Sequence, residues 1–269
     1  MNSILDFAIA PFYTVGIAIW RFMLGLIGVS ASQTPEAFSS GTWSYVTVDL
    51  YPMFAAVGAT MLNLFFYIGY VRQAGNLKQE MTLEIFVEMC IKVIFGNALV
   101  QSSVLLTKAI YASSGNMAGL ILSGTDYPFQ QEDIDGGAVF FYLVLGIVFF
   151  AVCLVCSVTV FLTCYGRFLQ LYMLVLAAPP ALSTIAGGGG FSQTAASWFK
   201  TTLSKAFSIV FIALSITIAS KICNGIDFAQ VGIEAGNGGI QMLNNMCTMI
   251  IMTASVKGID VFMRRTFGL

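Results

Sequence analysis

The stretch Leu50–Val71, LYPMFAAVGATMLNLFFYIGYV, holds 22 residues without a charge and is bounded by Asp49 and Arg72. The hydrocarbon core of a bilayer takes about 20 apolar residues of helix, so this run reads as one complete membrane span. The rest of the chain resembles it. Of 269 residues, 58% are hydrophobic and only 9% are charged, and mean hydropathy is +0.86. A soluble domain carries about 25% charged residues. With 12 Lys and Arg and 13 Asp and Glu, this chain has too little polar side chain to cover a water-exposed surface of its size. That excludes a soluble enzyme, a free nucleic-acid binder and a disordered chain. The expectation is an all-α, polytopic transmembrane helix bundle, one membrane domain over residues 1–269, with membrane lipid as its surroundings.

Outward from 50–71, the distances between charges place the other spans. Gly136–Gly166 is uncharged over 31 residues between Asp135 and Arg167. Phe168–Phe199 is uncharged as well, but Pro179-Pro180 and the tetraglycine Gly187, Gly188, Gly189 and Gly190 interrupt it. Proline removes a helical donor and glycine adds backbone freedom. Five spans are expected, near 50–71, 86–111, 138–165, 202–222 and 239–263. The segment 168–186 reads either as an extension of the preceding helix that ends at the prolines or as a re-entrant element, with the prolines and glycines as the hinge. A re-entrant backbone is tolerated only when buried in protein or lining a water-filled cavity.

The segment 8–29 has Arg21 near its centre and Thr14 on the same helical face. An arginine at mid-depth costs about 2.5–3.5 kcal/mol on insertion scales. The segment is therefore expected to lie at the outer interface as an amphipathic helix, with a sixth span as the alternative.

Orientation follows from where the bases are absent. The segments 30–49, 113–137 and 223–238 hold eight of the 13 acids and no Lys or Arg. The bases collect at Arg72 and Lys78, at Arg167, at Lys200 and Lys205, and at Lys257, Arg264 and Arg265. The three acidic segments are expected outside, which puts the N-terminus outside and the C-terminus in the cytoplasm of a multi-pass protein of the cell membrane. The N-terminal residues have no basic region and no small-residue cleavage pattern, so no removable signal peptide is expected.

The chemistry is sparse. There is no histidine, which removes the commonest metal ligand and general base. The six cysteines, at 90, 153, 156, 164, 223 and 247, lie almost entirely in apolar runs. Cys153 and Cys156 have the spacing of a redox or metal pair but no second pair beside them. The tetraglycine lacks the Lys-Ser/Thr of a phosphate-binding loop. No nucleophile and base are placed together, so no enzyme activity, metal or cofactor is expected.

Two polar stripes remain. Glu84, Glu88 and Lys92 recur every four residues, with Glu88 and Lys92 in the favourable order for an ion pair. Lys200, Ser204, Ser208 and Ser215 share one face of the next-to-last helix. Each stripe is a candidate wall of a hydrophilic conduit or a subunit interface. The plainer readings are a solvated helix start for the first and close helix packing for the second. Met242, Met246 and Met249 form a further stripe that reads as core packing, and Lys108 reads as a snorkelling side chain.

Three features recur together. A span ends in Phe-Tyr-Ile-Gly-Tyr-Val-Arg (66–72) and is followed by Leu-Glu-Ile-Phe-Val-Glu-Met-Cys-Ile-Lys (83–92), with Asn97-Ala-Leu-Val-Gln beyond. An element Arg-Phe-Leu-Gln-Leu-Tyr-Met-Leu-Val-Leu-Ala-Ala-Pro-Pro (167–180) then leads through small residues to Ala-Ala-Ser-Trp-Phe-Lys-Thr-Thr-Leu (195–203). Over roughly 45–265 the chain resembles the TrbL-type polytopic membrane component of type IV secretion and conjugation machines, in the compact form of Gram-positive mobile elements. The resemblance implies about five spans, an outside N-terminus and an inside C-terminus. It also implies a channel or scaffold subunit on the translocation path for DNA or protein. The implied partners are other secretion subunits including ATPases, further copies of the chain, and transiently the translocated substrate. The long extracytoplasmic domain and C-terminal tail of larger relatives have no counterpart in this sequence, and functions tied to them are not carried over. The competing readings are a purely structural membrane anchor of such a complex and a small-solute transporter. A transporter of that kind is expected to show an inverted repeat, and none is evident.

Overall fold

The structure is a computed structural model and describes residues 2–75, 83–123, 139–187, 192–224 and 237–268. Among the described residues there is helix and no strand. The elements are α1 (Asn2–Ser32), the short α2 (Pro35–Phe38) and α3 (Ser40–Ser44), a π-helical turn (Tyr45–Leu50), α4 (Tyr51–Ala74), α5 (Leu83–Leu122), α6 (Val139–Ser183), a 3-10 turn (Thr184–Gly187), α7 (Ser192–Asn224) and α8 (Asn237–Thr266). Among the described residues six segments are long and apolar enough to cross a membrane: Phe12–Ser32, Ser40–Arg72, Phe86–Leu122, Val144–Gly187, Ser192–Ile222 and Met242–Thr266. The chain is a multi-pass membrane protein built as a helical bundle.

The number six differs from the five spans read from charge spacing, and the extra segment is in α1. Tyr13, Ile17, Trp20, Leu24, Ile27 and Ala31 are buried along one stripe, spaced alternately four and three residues apart as a packed helix requires. The opposite face is apolar too, with Phe12, Val15, Phe22 and Val29 exposed beside Arg21. A surface-lying amphipathic helix needs a strongly polar face, and this one has an isolated arginine. Thr14 is half-buried.

The second difference concerns the prolines. Val139–Ser183 is one unbroken helix of 45 residues with Pro179 and Pro180 inside it, so the extended-helix alternative is the one that forms, and the re-entrant one does not. The helix closes by side-chain capping rather than at the prolines. Ser183 Oγ donates to Pro180 O at 2.7 Å and Thr184 Oγ1 to Ala181 O at 2.7 Å, satisfying carbonyls that a helix end leaves without intrahelical donors. Gly187 ends the 3-10 turn. Gly188, Gly189 and Gly190 lie outside the described residues, as do Lys78 and the acids at 126, 132, 133, 135, 227 and 234.

The chain forms two compact units. Unit 1 combines Met1–Ser32, Gly115–Gly166 and Ser208–Phe262; unit 2 combines Gln33–Ser114, Arg167–Phe207 and Met263–Leu269. In unit 1, α1 packs on the first part of α6. The rings of Tyr13 and Phe149 are 4.8 Å apart, and a side chain at Gly16 would come within 3.0 Å of Phe149. Asn245 of α8 donates from Nδ2 to Tyr13 Oη at 3.1 Å. Met242 and Met249 are fully buried and Met246 half-buried, so the methionine stripe is core. Cys153 and Cys156 are buried free thiols. Cys153 donates to the Met249 sulfur at 3.3 Å.

In unit 2, α4 runs beside the last part of α6 in a defined register. Trp43, in the lead-in to α4, meets Tyr172 with ring centroids 6.4 Å apart. Gly58 lies against Pro179, where an added Cβ would come to 2.8 Å from the proline carbonyl carbon. Gly69 lies against Gly187 O, at 3.3 Å from the same kind of added Cβ. Two helices can approach this closely only where one side lacks a side chain.

Candidate functional site

The polar chemistry of unit 2 is built from side chains that reach across to main-chain carbonyls of other elements. Arg167, 7% exposed, donates from Nε to Lys205 O at 2.8 Å and from Nη2 to Ala206 O at 2.8 Å. Its planar fork fits two adjacent carbonyls of α7 as it would fit a carboxylate. One helical stretch onward, Trp198 Nε1 of α7 donates back to Leu174 O of α6 at 3.1 Å. Tyr111 of α5 donates to Leu171 O at 3.1 Å, and Tyr172 donates to Pro35 O at 2.7 Å. Tyr51 Oη donates to Val100 O at 2.7 Å and lies 2.8 Å from Ser103 Oγ. In an apolar medium each such bond ties two elements together while meeting a donor that would be costly to leave unmade. Around these bonds pack Trp43, Val46, Phe168, Leu171, Val175, Leu176 and Ala206, all buried.

This core corrects one reading. Arg167 is not at a helix end: it lies within α6 and is buried against α7. Lys108, read as a snorkelling side chain, is about half exposed with its Nζ 2.6 Å from Glu36 Oε2 of the segment expected outside. The contacts also place Pro35 and Phe38, from a segment expected outside, directly on Tyr172 and Phe168, beside the Arg167 expected inside. Residues 35–38, 108–111, 167–172 and 205–206 are therefore at one level of unit 2. From that level the stretch from Tyr172 to Gly187 follows the chain from Trp43 of α3 through α4 to Gly69. If α4 crosses the membrane, this stretch crosses with it, although the charge parity argument left it out.

The site itself is an open groove of about 470 Å³ lined by Leu174, Ala181, Gln193, Thr194, Ser197, Trp198 and Thr201. Trp198 is its buried floor, held by the Leu174 bond and packed with Val100, Ala178, Leu182 and Ala195. Gln193, Thr194, Ser197 and Lys200 are exposed along the outer face of α7. Depth follows from the register: Leu174 and Ala181 bracket Pro179, which faces Gly58. Gly58 is about 10 Å along α4 from Tyr51 and about 21 Å from Arg72, at 1.5 Å rise per residue. The polar face thus lies at the depth of α4's exposed Met53, Phe54, Val57 and Met61. Amide and hydroxyl groups find no hydrogen-bond partner among hydrocarbon tails, so this face belongs against water or protein.

The residues singled out from sequence separate. Glu88 pairs with Lys92 across one turn, Oε1 to Nζ 2.6 Å, with side-chain exposures of 63% and 42%, and Glu84 is exposed. Lys200 lies on the groove's face of α7, whereas Ser204 and Ser208 are buried and Ser215 is half-buried, donating to Ile212 O at 3.0 Å. The serine stripe is helix packing, and only its first member reaches the polar face. Gln193, Thr194, Ser197 and Thr201 were not singled out, though Ser-Gln-Thr-Ala-Ala-Ser-Trp-Phe-Lys-Thr-Thr (192–202) is the most polar run within any candidate span of unit 2 after α5's start. Among the described residues no group of three or more Cys, Asp or Glu could hold a metal ion.

Compared with protein-family models, with curated proteins and with solved structures, the chain matches none.

Proposed function

We propose that this chain is a membrane subunit of a type IV secretion machine of the TrbL type, contributing to the inner-membrane path by which DNA or protein is transferred. One observation carries the reading. Two of the stretches behind the resemblance, 167–180 and 195–203, are tied by the hydrogen bond from Trp198 to Leu174 O, Arg167 adds bonds just beyond, to Lys205 O and Ala206 O, and the pair borders a polar groove. A purely structural anchor has no need of exposed Gln193, Thr194 and Ser197 in that groove. Scarce positive charge suits a path as well, because a wall rich in Lys and Arg would bind a nucleic-acid strand through its phosphates rather than let it pass.

The test is an in-frame deletion in a cell that carries the transfer system. Loss of transfer that the wild-type gene restores, together with co-purification of a secretion ATPase, is the expected outcome. Undiminished transfer from the deletion strain refutes the proposal.

A further inference from the structure

We propose that the facing sulfurs of α6 and α8 form a binding site for one monovalent soft cation, copper(I), with Cys153, Cys156, Met249 and Met252 as its donors. The two helices meet in unit 1 in parallel register. Tyr13 touches both Phe149 of α6 and Asn245 of α8, and Cys153 Sγ lies 3.3 Å from Met249 Sδ. Both α6–α8 pairs are 96 residues apart in sequence. Phe149, Cys153, Cys156 and Val160 are buried on α6, and Asn245, Met249, Met252 and Val256 on α8, each series stepping by four, three and four residues. That is the spacing of successive core layers in a parallel helix pair, so Cys156 falls level with Met252, one layer beyond Cys153 and Met249. Two adjacent layers thus hold two thiols and two thioethers, each 6% exposed or less. Three residues of helical rise are about 4.5 Å, short enough for one ion between the layers to reach sulfurs of both.

Soft thiolate and thioether ligands favour copper(I). No three thiols or carboxylates gather among the described residues, and it is the methionines that complete the set. Charge fits a monovalent ion. Cys153 donates its proton toward Met249, and copper(I) entering between these sulfurs displaces that proton to solvent. The S–H bond breaks, a Cu–S bond forms to the Cys153 thiolate, and the site stays neutral with no change of oxidation state. A divalent ion leaves net positive charge in an apolar interior unless a second thiol ionises too. Ser157 supplies an independent observation. Its hydroxyl is buried without a hydrogen-bond partner, whereas buried polar groups are as a rule paired. Ser157 follows Cys153 by four residues on the same helical face, placed to donate to that sulfur once it is a thiolate bound to metal. Core packing accounts for four buried sulfurs but not for this hydroxyl.

The site is independent of the proposed function, and its test involves no transfer assay. The 269-residue chain, purified in detergent with reductant and without oxygen, is given copper(I) together with a competing copper(I) chelator, and the metal it retains is counted. The expected result is one copper per chain, an all-sulfur coordination shell by X-ray absorption, and a raised thermal unfolding midpoint, since an ion that binds only the folded chain stabilises it. A chain whose other cysteines, at 90, 164, 223 and 247, are replaced by alanine should retain copper equally. Met249→Leu combined with Met252→Leu nearly conserves volume, so the core still packs, yet this variant should lose the ion to the chelator. Cys153→Ser should do the same, and Ser157→Ala should weaken binding about tenfold. Absence of copper on the wild-type chain, undiminished copper on the double methionine variant, oxygen or nitrogen in the shell, or zinc retained in preference to copper overturns the proposal and leaves the four sulfurs as core packing.

Discussion

Phe38 lies face to face on Phe168, with ring centroids 4.1 Å apart and planes 4° from parallel, and this contact sets the height of two segments that charge alone would separate. The Tyr172–Pro35 hydrogen bond and the Glu36–Lys108 ion pair hold the same junction. A short helix from a segment without Lys or Arg and a helix position next to an arginine thus share one side of unit 2. Exposed Ser40 and Gln170 lie close in sequence to the two rings. With the six native cysteines replaced, S40C and Q170C should both react with a membrane-impermeant thiol reagent added from one side of sealed vesicles and both resist it from the other. Opposite sidedness would show that the junction does not form in the membrane.

Arg167 should tolerate little. Its two bonds to α7 carbonyls are charge-assisted, and such bonds contribute about 1.5–3 kcal/mol. Replacement by lysine keeps the charge but loses the planar fork that reaches Lys205 O and Ala206 O together. Arg167→Lys is expected to lower unfolding free energy in mixed micelles by about 1–2 kcal/mol, and Arg167→Met by more. Parity of the lysine variant with wild type would show that a point charge suffices.

How much of this was legible in the sequence depended on the range of the forces involved. The span 50–71 was, because lack of charge over one bilayer thickness is a local property; α4 begins at Tyr51 and ends at Ala74. The methionine core on α8 and the Glu88–Lys92 pair were legible for the same reason, both being set by helical spacing. Arg167 was not. An arginine between two apolar runs looks like a helix end, and only the carbonyls of α7, 38 and 39 residues away, make it an interior residue. The partner of Lys108 was not legible either, since Glu36 lies on another element. Pro179 and Pro180 suggested a break, but they fall one turn before hydroxyl caps that finish the helix. In the groove, Gln193, Thr194, Ser197 and Thr201 carry no charge and fall between the 168–186 element and the span expected at 202–222, a stretch that the charge pattern left outside the membrane, so nothing in it marked the wall of a groove.

The glycines of α4 and α6 should respond in opposite directions. A methyl group at Gly58 meets the backbone of Pro179 at 2.8 Å, whereas one at Gly166 meets nothing within 4 Å. Backbone cannot rotate away as a flexible side chain does, and overpacking typically costs about 1–3 kcal/mol. Gly58→Ala should therefore destabilise unit 2 by that order. Gly166→Ala, in an open helical position, should stabilise by about 0.5–1 kcal/mol through reduced backbone entropy in the unfolded chain. Thermal unfolding in detergent, followed by the α-helical circular dichroism signal, measures both. A neutral Gly58→Ala would mean that α4 and α6 sit further apart than the register requires.

The buried stripe of α1 bears on the sidedness of the ends. Tyr13 is 2% and Trp20 1% exposed, and Tyr13 accepts the hydrogen bond from Asn245 of α8, so α1 is packed into the core of unit 1 rather than spread on a surface. With Phe12–Ser32 long and apolar enough to cross, six crossings place the N- and C-termini on one side of the membrane; five would separate them. Reporters active on only one side, fused in turn to each end, should give matching signals. Tyr13→Phe should leave the sidedness unchanged and weaken the α1–α8 contact by about 0.5–1.5 kcal/mol, the ordinary net worth of a hydrogen bond, seen as a lower unfolding midpoint. Opposite signals from the two ends would return α1 to the membrane surface, and its buried stripe would then need a partner other than the α6–α8 core of unit 1.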